Sequence, residues 1–513
     1  MNPSIPLLRA VTMAALVLIT GCAAVGPDYK AAAVDAPADF SAWHGGSAEL
    51  APAPQRASVP AAAPFGWSVF ADPTLDALQA RAMAANNDLK TAALRFAQSR
   101  VQGDATRSQQ WPQVNGSGSV QRVRESENGD FRRIISAINP GSVEELVKVL
   151  SDPHDMFQAG FDASWELDFW GRVRRSIEAS TADETASKAM LAQAQLSVQA
   201  EVARHYFQLR SVQNQLRIAR ADVAAGEETR KLVSARADGG LTTDLDVTRQ
   251  DAQLADTRAR LPQLMSQEAL EINQVTLLVG ERPGALQAEL ATRPDTARPA
   301  PPLPDLSLGL PSDVALRRPD IQRAEAQLHA ATASIGVAVA DLYPRITIGA
   351  SLGLNSVDAS TFTDWGSRQW SIGPSLQLPI FDGGRRRATV TLRKLQEQEA
   401  AVAYQQTILK AWHEIDDALS AYTAERQRNI QLALKERSSR DSYQLASVRY
   451  EHGLTDFLVQ LDAQRTLLQA QREYAESSGR LAVALVSISK ALALPASSTE
   501  PAVAVSALKA PRR

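Results

Sequence analysis

The sequence predicts a mainly α-helical protein with transmembrane β-strands, built as an internal duplication, and three observations carry that expectation. Two copies of one series register at a fixed offset without a gap: Arg172 with Arg385 (385 − 172 = 213), Glu201 with Glu414, and Gly240-Leu241-Thr242 with Gly453-Leu454-Thr455. Three stretches alternate strictly between apolar and polar residues, and a fourth does so weakly, which is the period of a strand with two unlike faces. Two long runs contain no proline, Arg172 to Asp238 and Arg385 to His452. Self-similarity of strands plus long helices at a fixed period is the mark of a repeat architecture.

At the N-terminus Arg9 precedes a short apolar run, Ala10 to Ile19, and then Ile19-Thr20-Gly21-Cys22. That run is too short to cross a bilayer as a helix, so residues 1–21 read as a secretory signal. The tetrad resembles the lipobox of bacterial lipoproteins, which implies a covalent lipid on Cys22; no other cofactor is expected. Cys22 is the only cysteine, so it has no partner for an intramolecular disulfide. Residues 22–64, rich in Ala and Pro, read as an extended lipidated tether. Ala23 rather than Asp at the second mature position favours, by resemblance to sorted lipoproteins, the outer membrane.

A net charge of −3 without long basic runs gives no case for nucleic acid. After Cys22 no apolar run reaches eighteen residues, so any spanning of a membrane falls to β-strands. The six His show no metal-ligand spacing, and neither a phosphate-cradling glycine loop nor a nucleophile elbow occurs. No catalytic or metal site is expected, and His413 and His452 read as structural.

The first repeat is assigned to 65–283. It opens with a helical hairpin, Pro73 to Gln109, turning near Asn86-Asn87-Asp88. Strands follow at about 112–122 and 157–169, where Phe157, Ala159, Phe161, Ala163, Trp165, Leu167 and Phe169 interleave with polar residues. After a linker at 284–310 the second repeat, 311–495, gives a matching hairpin from Pro311 to Asp341 and strands at about 344–354 and 369–381, before a tail at 496–513. Strands of this length suit a tilted membrane crossing. Trp111, Tyr343, Trp170 and Phe381 at their ends resemble an interfacial girdle. Asp162, Glu166 and Asp168 fall on the polar face and would line a barrel lumen. Between the first two strands, 122–156 reads as a long extracellular loop with an amphipathic stretch at Val143 to Leu150.

Four strands cannot close a membrane barrel, whose smallest members have about eight. The chain must oligomerise to cover its edges, and two, three or four copies all remain open on spacing alone. The long helices would each extend roughly 100 Å at about 1.5 Å per residue. Ile408, Trp412, Ile415, Leu419 and Tyr422 form a 4-3-4-3 seam, partly repeated at Val202, Tyr206 and Leu209, as in a coiled coil. Return helices are expected from Leu241 to Gly280 and from Leu454 to Leu494. Pro262 should kink the first alone, since Ala475 holds its place in the second.

Strand pairs feeding such helices, duplicated behind a lipobox, resemble the TolC/OprM-like outer-membrane factors. More specific resemblances are the twin Gly-Leu-Thr turns, Leu461-Asp462-Ala463-Gln464-Arg465, Trp165-Glu166-Leu167-Asp168 and Phe381-Asp382-Gly383-Gly384-Arg385. The resemblance implies a homotrimer with a twelve-stranded outer-membrane β-barrel continuous with a long periplasmic α-helical barrel. It implies the exit duct of a tripartite efflux pump, in the NodT-type branch, with a periplasmic adaptor, an inner-membrane RND-type pump and outer-membrane lipid as partners. The alternatives are a type I protein-secretion duct and a structural coiled-coil lipoprotein.

In that family the helix tips close the periplasmic entrance. By resemblance, Asp462 matches the inner of two acidic ring positions, while Val459 replaces the outer. Asp246 and Tyr450 match two members of a latch, while Thr455 stands where its Arg would be. A loosely held gate follows. The turns Gly240, Leu241, Thr242 and Gly453, Leu454, Thr455 are the expected docking points for the adaptor.

Overall fold

The computed structural model describes residues 24–31, 36, 43–50, 67–138, 140–291 and 311–493. The secretory signal, Cys22, most of the expected tether and linker, and the tail lie outside the described residues. In chain order the elements are α1 (Pro73–Ala85), α2 (Asn87–Arg107), β1 (Gln113–Val123), α3 (Asp130–Ile138), α4 (Val143–Leu150), β2 (His154–Leu167), α5 (Arg172–Asp238), α6 (Asp244–Leu278), α7 (Pro311–Arg317), α8 (Pro319–Ala340), β3 (Arg345–Ser356), β4 (Arg368–Gln377), α9 (Arg385–Glu451) and α10 (Phe457–Ala491).

The duplication extends to the helix ends. α5 and α9 each have 67 residues, α6 and α10 each have 35, and all four pairs of boundaries differ by 213. The short hairpins pivot at Asn86 and Arg318, an offset of 318 − 86 = 232. The offset is larger there because the β1–β2 connection, 124–153, is longer than the β3–β4 connection, 357–367.

Each pivot performs the same task with different chemistry. Asn86 caps α2 by accepting from the Asp88 and Leu89 N–H groups (2.9 and 3.1 Å), and its amide donates to the Leu278 carbonyl at the end of α6 (2.8 Å). Arg318 donates to the Ala491 carbonyl at the end of α10 (2.7 Å), and 491 − 278 = 213. Both supply a donor to a helix C-terminus that has exhausted its own.

The chain divides into two compact units, one of Met1–Lys30, Ser99–Glu184 and Gln327–Ala400, the other of Ala31–Gln98, Thr185–Ala326 and Ala401–Arg513. The first holds an antiparallel sheet in the order β1-β2-β3-β4. Register decides its character. Phe161 pairs with Gly116 and Leu352, and Leu352 with Trp370; Ala163 pairs with Val114 and Ala350, and Ala350 with Ile372. Paired side chains share a face, so one face collects these residues together with Val120, Trp165, Ile348 and Leu376. The other collects Asn115, Asp162, Ser351 and Ser371 with their neighbours, tied across strands by Asn115 to Asp162 (3.1 Å), Ser351 to Ser371 (2.8 Å) and Thr347 to Ser375 (2.6 Å). The apolar face is bare in the single chain: Phe161 is 64%, Trp370 74% and Ile372 69% exposed.

Two strands stop short of expectation. β2 ends at Leu167 rather than 169 because Asp168 turns to cap α5, and β4 ends at Gln377 rather than 381, two residues before Pro379. Pro374 inside β4 is tolerated because β4 is an edge. Of the expected girdle, Trp170 stacks on Tyr343 (4.6 Å) and donates to the Pro344 carbonyl (2.8 Å), while Trp111 and Phe381 stand exposed.

In the second unit the seam is buried as expected, from Ile408 to Tyr422 on α9 and at Val202, Tyr206 and Leu209 on α5. α1 docks beside it: Tyr206 donates to Asp72, the N-cap of α1 (2.6 Å), and Phe207 packs on Phe70. Pro262 lies inside an α6 that is continuous from Asp244 to Leu278. A proline forfeits one backbone bond, and the turns on either side carry the helix through.

The described parts of the expected tether are held against the body. In the first unit the Val25 N–H donates to the Trp170 carbonyl (3.0 Å), Asp28 pairs with Arg175 (2.5 Å) and Tyr29 stacks on His329 (4.2 Å). In the second, His44 and the Gly45 N–H both bond Asp416 (2.7 and 3.0 Å). A stretch without periodicity is thus anchored by a few hydrogen bonds, ion pairs and one ring stack.

Candidate functional site

The helix tips lie at the 238–246 and 451–459 turns. α5 ends at Gly240, in the left-handed region (φ +72°), with the Leu241 N–H bonded to the Arg236 carbonyl (2.8 Å). α9 ends at Gly453 (φ +70°), with the Leu454 N–H bonded to the Arg449 carbonyl (2.8 Å). A β-carbon on either glycine would meet nothing within 4 Å, so the backbone angle alone demands glycine. Leu241 is 80% and Leu454 68% exposed. Two large apolar side chains held out on rigid turns are suited to docking rather than to a core.

Beyond each turn the copies diverge. In the first, the Thr242 hydroxyl donates to Asp246 (2.6 Å) and Arg249 pairs with the same carboxylate (3.3 Å). Adding 213 puts Thr455, Val459 and Asp462 at those positions. Val459 accepts nothing through its side chain, so Thr455 has lost its carboxylate; Asp456 instead caps α10 through the Val459 N–H (3.2 Å). Arg249 has become Asp462, which is exposed and forms no ion pair among the described residues. The first copy neutralises its carboxylate and the second leaves one free.

The expected latch between Asp246 and Tyr450 is not formed within the chain. Asp246 is already satisfied by Thr242 and Arg249. Tyr450 is buried with Val233, Phe457 and Leu461, and its hydroxyl bonds to nothing among the described residues. What holds Tyr450 is Arg236: the guanidinium lies 4.4 Å from the ring centre and donates to the carbonyls of Tyr450 (2.9 Å) and Glu451 (2.7 Å). A cation at a helix C-terminus meets the negative end of the dipole. In the sequence the only signal for Arg236 is the matching Arg449 in the other copy.

Of the three carboxylates assigned to a lumen, Asp162 sits on the polar sheet face as expected. Glu166 is on that face at the strand end, gripping Arg172 through both oxygens (2.8 Å each). Asp168 does not line the polar face: it lies past the strand and accepts from the Val173 and Arg174 N–H groups (2.9 Å each), capping α5. Asp382 repeats this before α9 with the Gly384 and Arg386 N–H groups (3.1 and 3.3 Å).

Comparison with known proteins gives a consistent result. The family model described as outer membrane efflux protein matches residues 78–281 and 310–494. The outer membrane protein OprJ of Pseudomonas aeruginosa is 31% identical over 479 residues, covering 93% of this chain and 94% of its own. The toluene efflux pump outer membrane protein TtgI of Pseudomonas putida is 30% identical over 470 residues, covering 91% and 93%. Among solved structures, the outer-membrane channel OprN superposes with a TM-score of 0.79 at 33% identity, covering 92% of this chain and 99% of that one.

Proposed function

The chain belongs to the outer membrane efflux protein family, and we propose that it is the outer-membrane exit duct of a tripartite efflux pump, passing small molecules outward without chemistry of its own. The observation that carries this is the sheet: one face apolar, one polar, both uncovered, with β1 and β4 as open edges. Lipid satisfies the first face, water the second, and neighbouring copies the edges. Three chains supply twelve strands and close the barrel. Cys22 carries the lipid that holds the N-terminus at the same membrane.

At the other end of the helices, three copies of Asp462 form one acidic ring at the entrance, and Val459 supplies no second. The six exposed leucines, Leu241 and Leu454 from each chain, seat a periplasmic adaptor, which joins the duct to an inner-membrane RND-type pump. Asp162 faces the water of the barrel.

The test is a purification in detergent followed by planar-bilayer recording. A trimer, three times the 55.3 kDa chain before processing, with discrete channel conductance supports the reading. A monomeric rod that stays in solution without detergent and conducts nothing would overturn it.

A further inference from the structure

Arg236 and Arg449 hold the same position in the two copies (449 − 236 = 213), each four residues before a left-handed glycine. The two turns agree bond for bond: Gly240 N–H donates to the Ala237 carbonyl (2.9 Å) as Gly453 N–H does to that of Tyr450 (3.0 Å). Arg236 is engaged, clamping the Tyr450 and Glu451 carbonyls at the end of α9. Its counterpart is not. The Arg449 side chain is exposed and makes no hydrogen bond or ion pair among the described residues. The carbonyls equivalent to the clamped pair, those of Ala237 and Asp238 (450 − 213 and 451 − 213), receive no side-chain donor among the described residues.

One chain therefore contains a completed donor–acceptor pair, one spare donor and one spare acceptor, all built on the same geometry. That is the pattern of a heterologous interface, in which a surface on one copy fits a different surface on the next until a ring closes. The sheet has the same property, with β1 and β4 left as unlike edges. We infer that Arg449 of each copy caps the C-terminus of α5 in its neighbour through the Ala237 and Asp238 carbonyls, repeating between chains what Arg236 does within one. The inference rests on the trimeric reading above.

The chemistry suits the role. A planar guanidinium bridges two adjacent carbonyls, where an ammonium offers only a point charge, and the C-terminal end of a helix favours a cation. The two clamps are unequal, however. Arg236 has the Tyr450 ring beneath it, whereas Ala237 occupies the equivalent place under Arg449. The clamps between chains lack the aromatic floor, so around the closed tip strong and weak clamps alternate. The weak ones release first, and the entrance parts along the chain boundaries.

The experiment uses the full-length lipidated protein carrying Arg449→Cys and Asp238→Cys, purified in detergent and treated with a short bismaleimide. Covalent dimers and trimers on a denaturing gel are expected from the double variant and from neither single variant, which also controls for Cys22. Arg236→Cys with Glu451→Cys should give monomers only. Trimers by light scattering that run as monomers after denaturation would overturn the inference while leaving the trimeric reading intact. So would an Arg449→Cys trimer that a bulky maleimide labels as fast as Leu454→Cys, since the side chain would then be open to a pump partner; labelling several-fold slower is expected. A protein that is not trimeric overturns both.

Discussion

Gly479 of α10 passes so close to Ser211 of α5 that a β-carbon built on it would lie 2.5 Å from the Ser211 β-carbon. No rotamer relieves a clash between two β-carbons, so helix α10 must move. Gly479→Ala should lower the thermal midpoint of the trimer through an overpacking cost of about 1–3 kcal/mol. Adding Ser211→Gly should recover most of the loss, as scanning calorimetry of the single and double variants will report.

Arg318 is 6% exposed and joins Asp320 (2.6 Å), Glu414 (2.7 Å) and the Ala491 carbonyl (2.7 Å). Arg318→Met leaves the Ala491 carbonyl and the partly buried Asp320 without their donor, while Glu414, 43% exposed, turns to water; the expected cost is about 1–3 kcal/mol. Arg318→Lys should fall between, since one ammonium cannot span all three acceptors. Thermal inactivation rates of the three proteins rank them.

A cavity of about 180 Å³ among α5, α6 and α10 is lined by Asp222 and Arg260. Burial pushes the Asp222 carboxyl up to about 6 from its ordinary 3.8, with Arg260 pulling only partly back. The folded value exceeds the unfolded one, so folding favours the neutral acid: this group helps least at neutral pH, and stability is regained as pH falls from about 6 towards 4. The wild-type midpoint should therefore rise by about 2–4 °C between pH 7 and 5, the size of a 1 kcal/mol change in a large domain. Asp222→Asn should be more stable at pH 7 and lose this slope.

Val459→Asp gives the second copy the carboxylate that Asp246 gives the first, and Thr455 stands ready to donate to it. On the proposed entrance, this adds a second acidic ring to that of Asp462. Reversal potentials across a salt gradient should shift towards stronger cation preference, and Asp462→Asn should shift them the other way.

Leu241→Asp and Leu454→Asp alter exposed side chains on turns whose backbone they leave alone. Both should assemble as trimers with unchanged conductance. Cells carrying the double variant should be as sensitive to exported compounds as cells lacking the gene, measured as growth inhibition.

Much of the fold was legible because its determinants are local. Absence of proline over 67 residues and a Gly-Leu-Thr stop delimit α5 and α9, and strict alternation fixes the faces of β2 and β3. The misreadings arise where two local rules overlap or where a distant residue decides. Asp168 fits the strand alternation and the N-cap of the next helix equally, and the cap prevails because α5 has unpaired N–H groups to satisfy. Within the chain Asp246 is taken by Thr242 and Arg249, contacts that its identity alone does not announce. Arg236 could be any solvated arginine until the end of α9 is brought beside it. His44 and Asp416 are 372 residues apart, beyond the range of any pattern in the tether.

The twin turns also bear on counting. At Leu241 and Leu454 the two copies are interchangeable, so a partner that senses only the turns finds six equal seats on a trimer. One helical turn deeper, Asp246 and Val459 make those seats two kinds, three of each. A partner with shallow reach binds at two per chain, and one that probes further binds at one. On the proposed docking, the stoichiometry of the assembly follows from how far the adaptor reaches past the tip.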